Sequence, residues 1–178
     1  MKIQKATDSD LPAALAVEQA AFGSNVEGEL VRNLLEDPSA QPALSLLAFI
    51  DDEPVGHVLF TRLRLDPAPS LKLSILAPLA VVPAKQKQGI GSALVKHGLQ
   101  VLTRDGTDLV FVLGHIEYYP RLGFKPAGPQ GLIAPYPIPE KVADAWMVQE
   151  LRPGVLGKYK GTVTCADAMD RPEYWRDE

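Results

Sequence analysis

The stretch that most constrains the fold joins a short apolar run, Leu79 to Val82, to a polar loop with two glycines and then to an amphipathic pattern. It predicts a strand, a loop and the N-terminus of a helix. Glycine has no Cβ, so a ligand can approach the main chain between Gln86 and Gly91. Amides at a helix start lack internal partners, the helix dipole adds positive charge, and Lys85 and Lys87 add more. The segment therefore predicts a site for a phosphate or pyrophosphate group.

Two common phosphate-binding motifs do not fit this stretch. A P-loop requires a lysine after its last glycine, but Gly91 is followed by Ser92, and a dinucleotide fingerprint requires a third glycine where Leu94 stands. The pattern Gln-x-x-Gly-x-Gly, formed by Gln86, Gly89 and Gly91, does fit. It resembles the pyrophosphate loop of the GNAT superfamily of acetyl-CoA-dependent N-acetyltransferases. The alternative interpretation is a tight turn before a helix.

A second motif follows an apolar run of strand length, residues 109–114. Tyr119, Gly123 and Phe124 form Tyr-x-x-x-Gly-Phe, which resembles the GNAT segment in which a short helix carries a tyrosine beside the thioester sulfur. The resemblance implies that Tyr119 protonates the departing thiolate. A phenol of pKa about 10 can share a proton with a thiolate of pKa about 8.5 near neutral pH. Tyr118 is expected to point elsewhere and to pack, because successive helical residues lie about 100° apart; the alternative places both tyrosines in the core and rim.

Together the two motifs indicate a member of the GNAT superfamily, and the resemblance, which covers about residues 1–152, is greatest to its bacterial YhbS-like branch. It implies an α/β (α+β) GNAT fold, a mixed central sheet with splayed parallel fourth and fifth strands flanked by helices. Residues 1–152 would form the N-acetyltransferase domain, and 153–178 a C-terminal extension packed on it or trailing from it. The implied cofactor is acetyl-CoA, and the implied contacts with coenzyme A are Leu79, Ala80, Val81, Gln86, Lys87, Gln88, Gly89, Ile90, Gly91, Ser92 and Tyr119.

Apolar patterns predict the other elements. Strands are expected over residues 2–6, 44–50, 55–65, 71–82, 109–114 and 145–151, with another within 157–165; helices are expected from residue 11, over 29–35 and over 89–103. Pro78 is awkward in an ordinary sheet strand, whereas the resemblance implies a bulge and a splayed strand there. The polar stretch 167–178 predicts a surface tail. Tyr136, Trp146 and Met147 are candidates for an acceptor pocket or for core packing.

The group that takes the proton of the acceptor amine is not obvious. Several GNAT enzymes carry a glutamate on the strand before the pyrophosphate loop, but residues 71–82 contain no carboxylate. A protonated alkyl amine must lose a proton before it can attack. His115 is the first candidate base and His57 the second, since histidine titrates in the useful range; the alternative for each is a structural, hydrogen-bonded histidine.

The resemblance makes residues 22–29 a candidate substrate wall, and an ordinary surface connection is the alternative.

Composition narrows the function classes. The chain has 178 residues, a net charge of −4 and one cysteine, Cys165. We expect a cytoplasmic protein with no signal peptide, no membrane span, no metal and no nucleic-acid partner.

The resemblance implies acetyl transfer from acetyl-CoA to a primary amine of a small molecule or peptide, by direct attack in a ternary complex, and it allows a homodimer. The alternatives are a non-catalytic or regulatory acyl-CoA-binding domain, and an O-acyl or longer-chain acyltransferase on the same fold.

Overall fold

The computed structural model describes residues 1 to 176. Its helices are α1 (Leu11–Phe22), α2 (Val26–Glu36) and α3 (Ile90–Arg104). Its strands are β1 (Lys2–Lys5), β2 (Leu44–Ile50), β3 (Glu53–Leu65), β4 (Leu73–Val81), β5 (Leu109–Leu113), β6 (Lys125–Pro126), β7 (Leu132–Ile133), β8 (Trp146–Glu150) and β9 (Gly161–Thr164). Short 3₁₀ turns connect several of them. Within residues 1 to 176, no helix combines the length and apolar character needed to cross a membrane.

The sheet has the order β1-β2-β3-β4-β5-β8-β6, and β9 pairs with the end of β3 and with β7. The β4–β5 pair is parallel, whereas β1 to β4 pair antiparallel in sequence order. One apolar cluster joins one face of the sheet to α2 and the C-terminal segment, and a second joins the other face to α3. β3 is buried along most of its length, as expected for a strand covered on both faces. The predicted mixed sheet is therefore confirmed.

The two parallel strands stay together for only three residue pairs. Leu73 to Ile75 of β4 pair with Leu109 to Phe111 of β5, and within residues 1 to 176 the ladder between them stops there. On the other edge of β4, Ala77 and Pro78 together oppose Leu59 of β3, which is a β-bulge. The predicted bulge at Pro78 and the predicted splay of the two strands are confirmed. The divergence opens a gap between the later residues of β4 and β5.

Close approach of α3 to the sheet sets the other boundary of that gap. A Cβ on Gly98 would lie 2.3 Å from the ring of Phe60, so glycine lets the helix lie against β3. The apolar side of α3, which includes Leu94, Val95 and Leu99, is buried against the same face. The first turn of α3 is thereby held beside the end of β4.

The C-terminal segment packs into the core, and the expectation of a polar surface tail over 167–178 is wrong for the part that the structure describes. Trp175 is only 1% exposed, and its ring meets that of Trp146 edge to face at a centroid distance of 5.6 Å. Its Nε1–H donates to the Met169 carbonyl at 3.0 Å, and Met169 is also buried. Few residues of the stretch are apolar, but they are large enough to anchor it. Residues 177 and 178 lie outside the described residues.

Asp37 ties this segment to the turn after α2. Its carboxylate accepts hydrogen bonds from the Ser39 amide at 2.9 Å, the Ser39 hydroxyl at 2.7 Å and the Ala168 amide at 2.9 Å. Burial opposes ionisation of Asp37, but the hydrogen bonds from Ala168 and Ser39 outweigh it and lower the pKa of this carboxyl. The ionised carboxylate therefore stabilises the fold.

Replacing Asp37 with alanine is expected to lower the free energy of unfolding at pH 7 by about 1 kcal/mol, as loss of a capping side chain does. A carboxyl with a lowered folded pKa contributes stability above its unfolded pKa, and that stability is lost as the pH falls through the folded value. The difference in Tm between wild type and Asp37→Ala should thus be full at pH 5 to 7 and shrink below about pH 4. Thermal unfolding across this range measures it, with the exposed Asp66→Ala as control; a difference independent of pH would contradict the assignment.

Candidate active site

A cleft of about 1130 Å³ occupies the gap between β4 and β5. One side is formed by β4 and the start of α3, and the other by β5 and the turn that follows it. Its lining comprises Phe22, Leu76–Leu79, Val81, Lys85–Lys87, Gly89–Ser92, Val112–Tyr119, Arg121 and Glu140–Ala145. The phosphate-site motif and the tyrosine motif, distant in sequence, thus face the same space.

The glycine loop leads directly into α3. Gly89 has φ +84° and precedes the first helical residue, Ile90, so its backbone favours glycine in the left-handed region. The first helical hydrogen bond runs from the Ala93 amide to the Gly89 carbonyl at 3.0 Å. The amides of Ile90, Gly91 and Ser92 therefore have no partner inside the helix. Lys85 and Lys87 line the same end of the cleft, and this end suits an anion.

The edge of β4 that faces β5 is open along the cleft. The Val82 amide donates to the Val55 carbonyl of β3 at 2.9 Å. Because main-chain polar groups alternate between the two edges of a strand, those of Val81 and Leu79 point away from β3. They face the side from which β5 has diverged. An extended ligand can pair with these groups as an additional strand would.

The structure brings nine of the eleven predicted cofactor contacts to the cleft: Leu79, Val81, Gln86, Lys87, Gly89, Ile90, Gly91, Ser92 and Tyr119. Ala80 and Gln88 are not among its lining residues. Ala80 is buried, and the side-chain amide of Gln88 donates to the Ala84 carbonyl at 3.5 Å. The position of Ala80 follows from the alternation of side chains along β4, since consecutive side chains point to opposite faces of the sheet.

Tyr119 is held with its ring in the wall of the cleft. The residue is 7% exposed, and its ring meets that of Phe124 edge to face at 5.7 Å. Gly114, the residue directly after β5, makes room for it, because a Cβ there would lie 2.4 Å from the Tyr119 ring. Burial, with a smaller contribution from Tyr118, raises the pKa of the Tyr119 hydroxyl well above its usual value. This hydroxyl stays protonated at neutral pH, the state that a proton donor requires.

Tyr118 lies in the same cleft, so the expectation that it points elsewhere is wrong. Its hydroxyl shares a hydrogen bond of 3.1 Å with Ser92 Oγ in the first turn of α3. The His115 carbonyl accepts hydrogen bonds from the amides of both Tyr118 and Tyr119, which closes a tight turn. The two rings pack edge to face at 5.0 Å. The prediction assumed a regular helix from Tyr118 onward, whereas the 3₁₀ turn begins at Tyr119.

The two candidate histidines lie in different surroundings. His115 is exposed and lines the cleft directly after β5. His57 is fully buried; its Nδ1 shares a hydrogen bond of 2.6 Å with Glu18 Oε2, and its Nε2 shares one of 2.8 Å with Ser45 Oγ. With both ring nitrogens engaged and no place among the lining residues, His57 matches the structural alternative.

Glu18, the partner of His57, did not appear among the predicted residues. Burial raises the pKa of the Glu18 carboxyl, while the hydrogen bond and charge of His57 act in the opposite direction. The signal that could have found Glu18 is helical spacing, because it follows Leu11, Ala14 and Leu15 on the inward face of α1. The hydrogen bond between Glu18 and His57 joins α1 to β3. In the sheet register, His57 lies directly opposite Ala80 of β4.

The residues that line the cleft differ from the predicted acceptor pocket. Of the predicted wall 22–29, only Phe22 is a lining residue. Trp146 and Met147 are buried in the core, with Trp146 stacked on Phe111 at 5.0 Å, and Tyr136 bonds to Asp170 outside the cleft. The lining also includes Glu117 and the 3₁₀ segment Glu140–Ala145, which carries two exposed carboxylates. Nothing in the periodicity of that segment indicated its position.

A splayed parallel strand pair, with a glycine-rich helix start on one side and a tyrosine turn on the other, is the arrangement that the resemblance to the GNAT superfamily implied. Residues 11–124 match the model of the Acetyltransferase (GNAT) family. The chain is 48% identical over 163 residues to YjhQ of Escherichia coli K12, described as an uncharacterized N-acetyltransferase, covering 89% of this chain and 88% of YjhQ. It is 31% identical to YhbS of the same strain, also described as an uncharacterized N-acetyltransferase, covering 91% and 94% of the two chains. The chain belongs to the GNAT family of acetyltransferases.

Solved structures agree with this assignment. The YhbS protein of E. coli, crystallised in complex with CoA, has a TM-score of 0.86 and 29% identity, covering 96% of this chain and 92% of that one. A GNAT family acetyltransferase from Brucella melitensis, in complex with acetyl-CoA, has a TM-score of 0.75 and 28% identity, covering 95% and 97%. The GNAT fold, including its parallel β4–β5 pair, is shared with both.

Proposed function

We propose that this protein transfers the acetyl group of acetyl-CoA to a primary amine of a small molecule or peptide, by direct attack in a ternary complex. The observation that carries the proposal is the cleft itself. It has an open strand edge and free helix amides on one side, and a buried, protonated tyrosine on the other. The relatives crystallised with CoA and acetyl-CoA support the choice of cofactor.

The residues present fit acetyl-CoA. The free amides at the start of α3, with Lys85 and Lys87 nearby, would hold the pyrophosphate, and the open main-chain groups of Leu79 and Val81 would hold the pantetheine arm. The bound cofactor supplies an activated thioester. The protein's task is then to orient the amine and to move two protons, one from the amine and one to the departing sulfur.

Two residues are proposed for these protons. Tyr119 donates to the leaving thiolate from its position in the cleft wall. His115, exposed in the same cleft, is the candidate that accepts the proton of the amine, since an imidazole nitrogen can act as a general base. Glu117, Glu140 and Asp144 line the cleft, and with Lys141 and Arg121 beside them they leave a small excess of negative charge on this part of the lining. Such charge attracts a protonated amine before it loses its proton.

Two assays test the function together. Calorimetry measures CoA affinity, and thiol release from acetyl-CoA with a panel of small and peptide amines measures turnover. Binding with turnover on an amine is expected. Binding without turnover on any acceptor would favour the acyl-CoA-binding alternative, for which the absence of a carboxylate on β4 is the supporting observation. Faster reaction with longer acyl chains or with alcohols would favour the other alternative.

Gly91→Val is expected to weaken CoA binding at least 10-fold in a folded protein. A Cβ at this position lies 3.0 Å from the Tyr118 hydroxyl and 3.6 Å from Leu79 Cδ2, so a branched side chain fills the mouth of the cleft. Calorimetry gives the affinity and thermal unfolding reports the fold. Gly128→Val is the matched control, because a Cβ there meets nothing within 4 Å and Gly128 lies outside the cleft. An unchanged CoA affinity in a folded Gly91→Val protein would show that the cofactor does not bind at this site.

A further inference from the structure

The side chain of Tyr118 reaches across the mouth of the cleft. Tyr118 belongs to the turn after β5, whereas Ser92 belongs to the helix that follows β4, and their hydroxyls lie 3.1 Å apart. The β4–β5 ladder stops at Ile75 and Phe111 within residues 1 to 176. The hydrogen bond between the two hydroxyls thus joins two sides of the cleft that have already diverged.

The Tyr118 hydroxyl occupies space that is available because Gly91 has no side chain. A Cβ on Gly91 would lie 3.0 Å from this oxygen, closer than an ordinary van der Waals contact. Gly91 has a helical backbone, so glycine is needed at this position for the space that it leaves and not for a left-handed conformation. The hydroxyl therefore lies directly beside the first turn of α3, where the amides of Ile90, Gly91 and Ser92 have no helical partner.

A tyrosine hydroxyl beside free helix amides adds one more donor to an anion site. Its bond to Ser92 joins two neutral groups, whereas a bond to a phosphate oxygen is charge-assisted and roughly twice as strong. An anionic ligand at the amides can therefore replace Ser92 as the partner of the Tyr118 hydroxyl with a net gain. No such gain is available to a ring that only packs.

We propose that Tyr118 is a cofactor-positioning residue, whose hydroxyl is held by Ser92 at the mouth of the cleft in the free protein and donates to the pyrophosphate when the cofactor binds at Gly91. This inference rests on the proposed function. It gives the two adjacent tyrosines separate tasks. Tyr119 acts at the thioester, and Tyr118 acts at the phosphate end.

The test compares CoA affinity and turnover in Tyr118→Phe. A hydrogen bond to a charged group predicts a CoA Kd raised about 10-fold. The kcat at saturating acetyl-CoA should stay within about 2-fold of wild type, since the acid is retained. Tyr136→Phe is the matched control, because it also loses a tyrosine hydroxyl bond, to Asp170, but outside the cleft. Its Kd should equal that of wild type.

A double-mutant cycle locates the hydroxyl independently of turnover. Gly91→Ala places a methyl group against the Tyr118 oxygen, so it should weaken CoA binding in the wild-type background. In the Tyr118→Phe background that oxygen is gone, and the same substitution should weaken binding several-fold less. The Tm of the free proteins, measured without CoA, should show the same non-additivity.

The outcomes separate this inference from the function on which it rests. No CoA binding by the wild type would overturn the proposed function itself. Wild-type binding with an unchanged Kd in Tyr118→Phe would overturn only the positioning role. Tighter binding by Tyr118→Phe would overturn it as well, since the hydroxyl would then obstruct the cofactor. Additive effects of Gly91→Ala and Tyr118→Phe on both Kd and Tm would show that the two groups are not in contact.

Discussion

Replacing Tyr119 with phenylalanine is expected to lower kcat by about 10²- to 10⁴-fold, the usual cost of removing a positioned acid. The ring makes the packing contacts with Phe124 and Gly114, and phenylalanine keeps that ring. The Tm and the CoA Kd should therefore remain close to those of wild type. The measurement requires an acceptor that the wild type turns over and an assay in which chemistry limits the rate.

Tyr118→Phe is the matched comparison for this prediction, since it should raise the Kd and leave kcat nearly unchanged. Burial raises the pKa of Tyr119, so deprotonation of this residue should not reduce the wild-type rate below pH 10. If Tyr118→Phe lost kcat while Tyr119→Phe kept it, the two roles would be exchanged. If neither variant lost kcat, protonation by solvent would be the better mechanism.

The fold could be predicted because the motifs that carry the resemblance to the GNAT superfamily are local in sequence. Leu79 to Gly91 contains a strand, a glycine loop and a helix start in one continuous stretch, and local backbone preferences determine all three. The splay of β4 was expected from Pro78 and the resemblance together, and the bulge at Ala77 and Pro78 agrees with it. The structure places both motifs on one cleft because β4 and β5 are neighbours in the sheet.

The features of the site that were not predicted have a common cause, because each depends on contacts between residues distant in sequence. The orientation of Tyr118 is set by the space at Gly91, which no helical periodicity describes. Glu18 was not predicted because it meets His57 across the interface between α1 and the sheet, whereas the structural alternative for His57 itself agrees with the structure. The segment 140–145 reaches the cleft because β8 pairs with β5 immediately after it. Local patterns place a side chain on a face of an element but do not identify what that face contacts.

The C-terminal segment is the largest error, and its burial leads to a strong prediction about stability. Trp175 packs against Trp146, which itself stacks on Phe111 of β5 at 5.0 Å. The segment thus supports the strand that forms one side of the cleft. A polar surface tail would contribute almost nothing to stability, so a single substitution distinguishes the two descriptions.

Trp175→Ala is expected to lower the free energy of unfolding by about 3 to 5 kcal/mol, because it removes a fully buried ring and leaves a cavity. For a chain of this size, that loss corresponds to a decrease in Tm of roughly 6 to 20 °C. Trp175→Phe should cost less, since it keeps most of the ring but loses the hydrogen bond to Met169. Thermal and urea unfolding measure the effect, with the exposed neighbour Glu173→Ala as control. A decrease for Trp175→Ala no larger than that for Glu173→Ala would show that the segment does not belong to the core in solution.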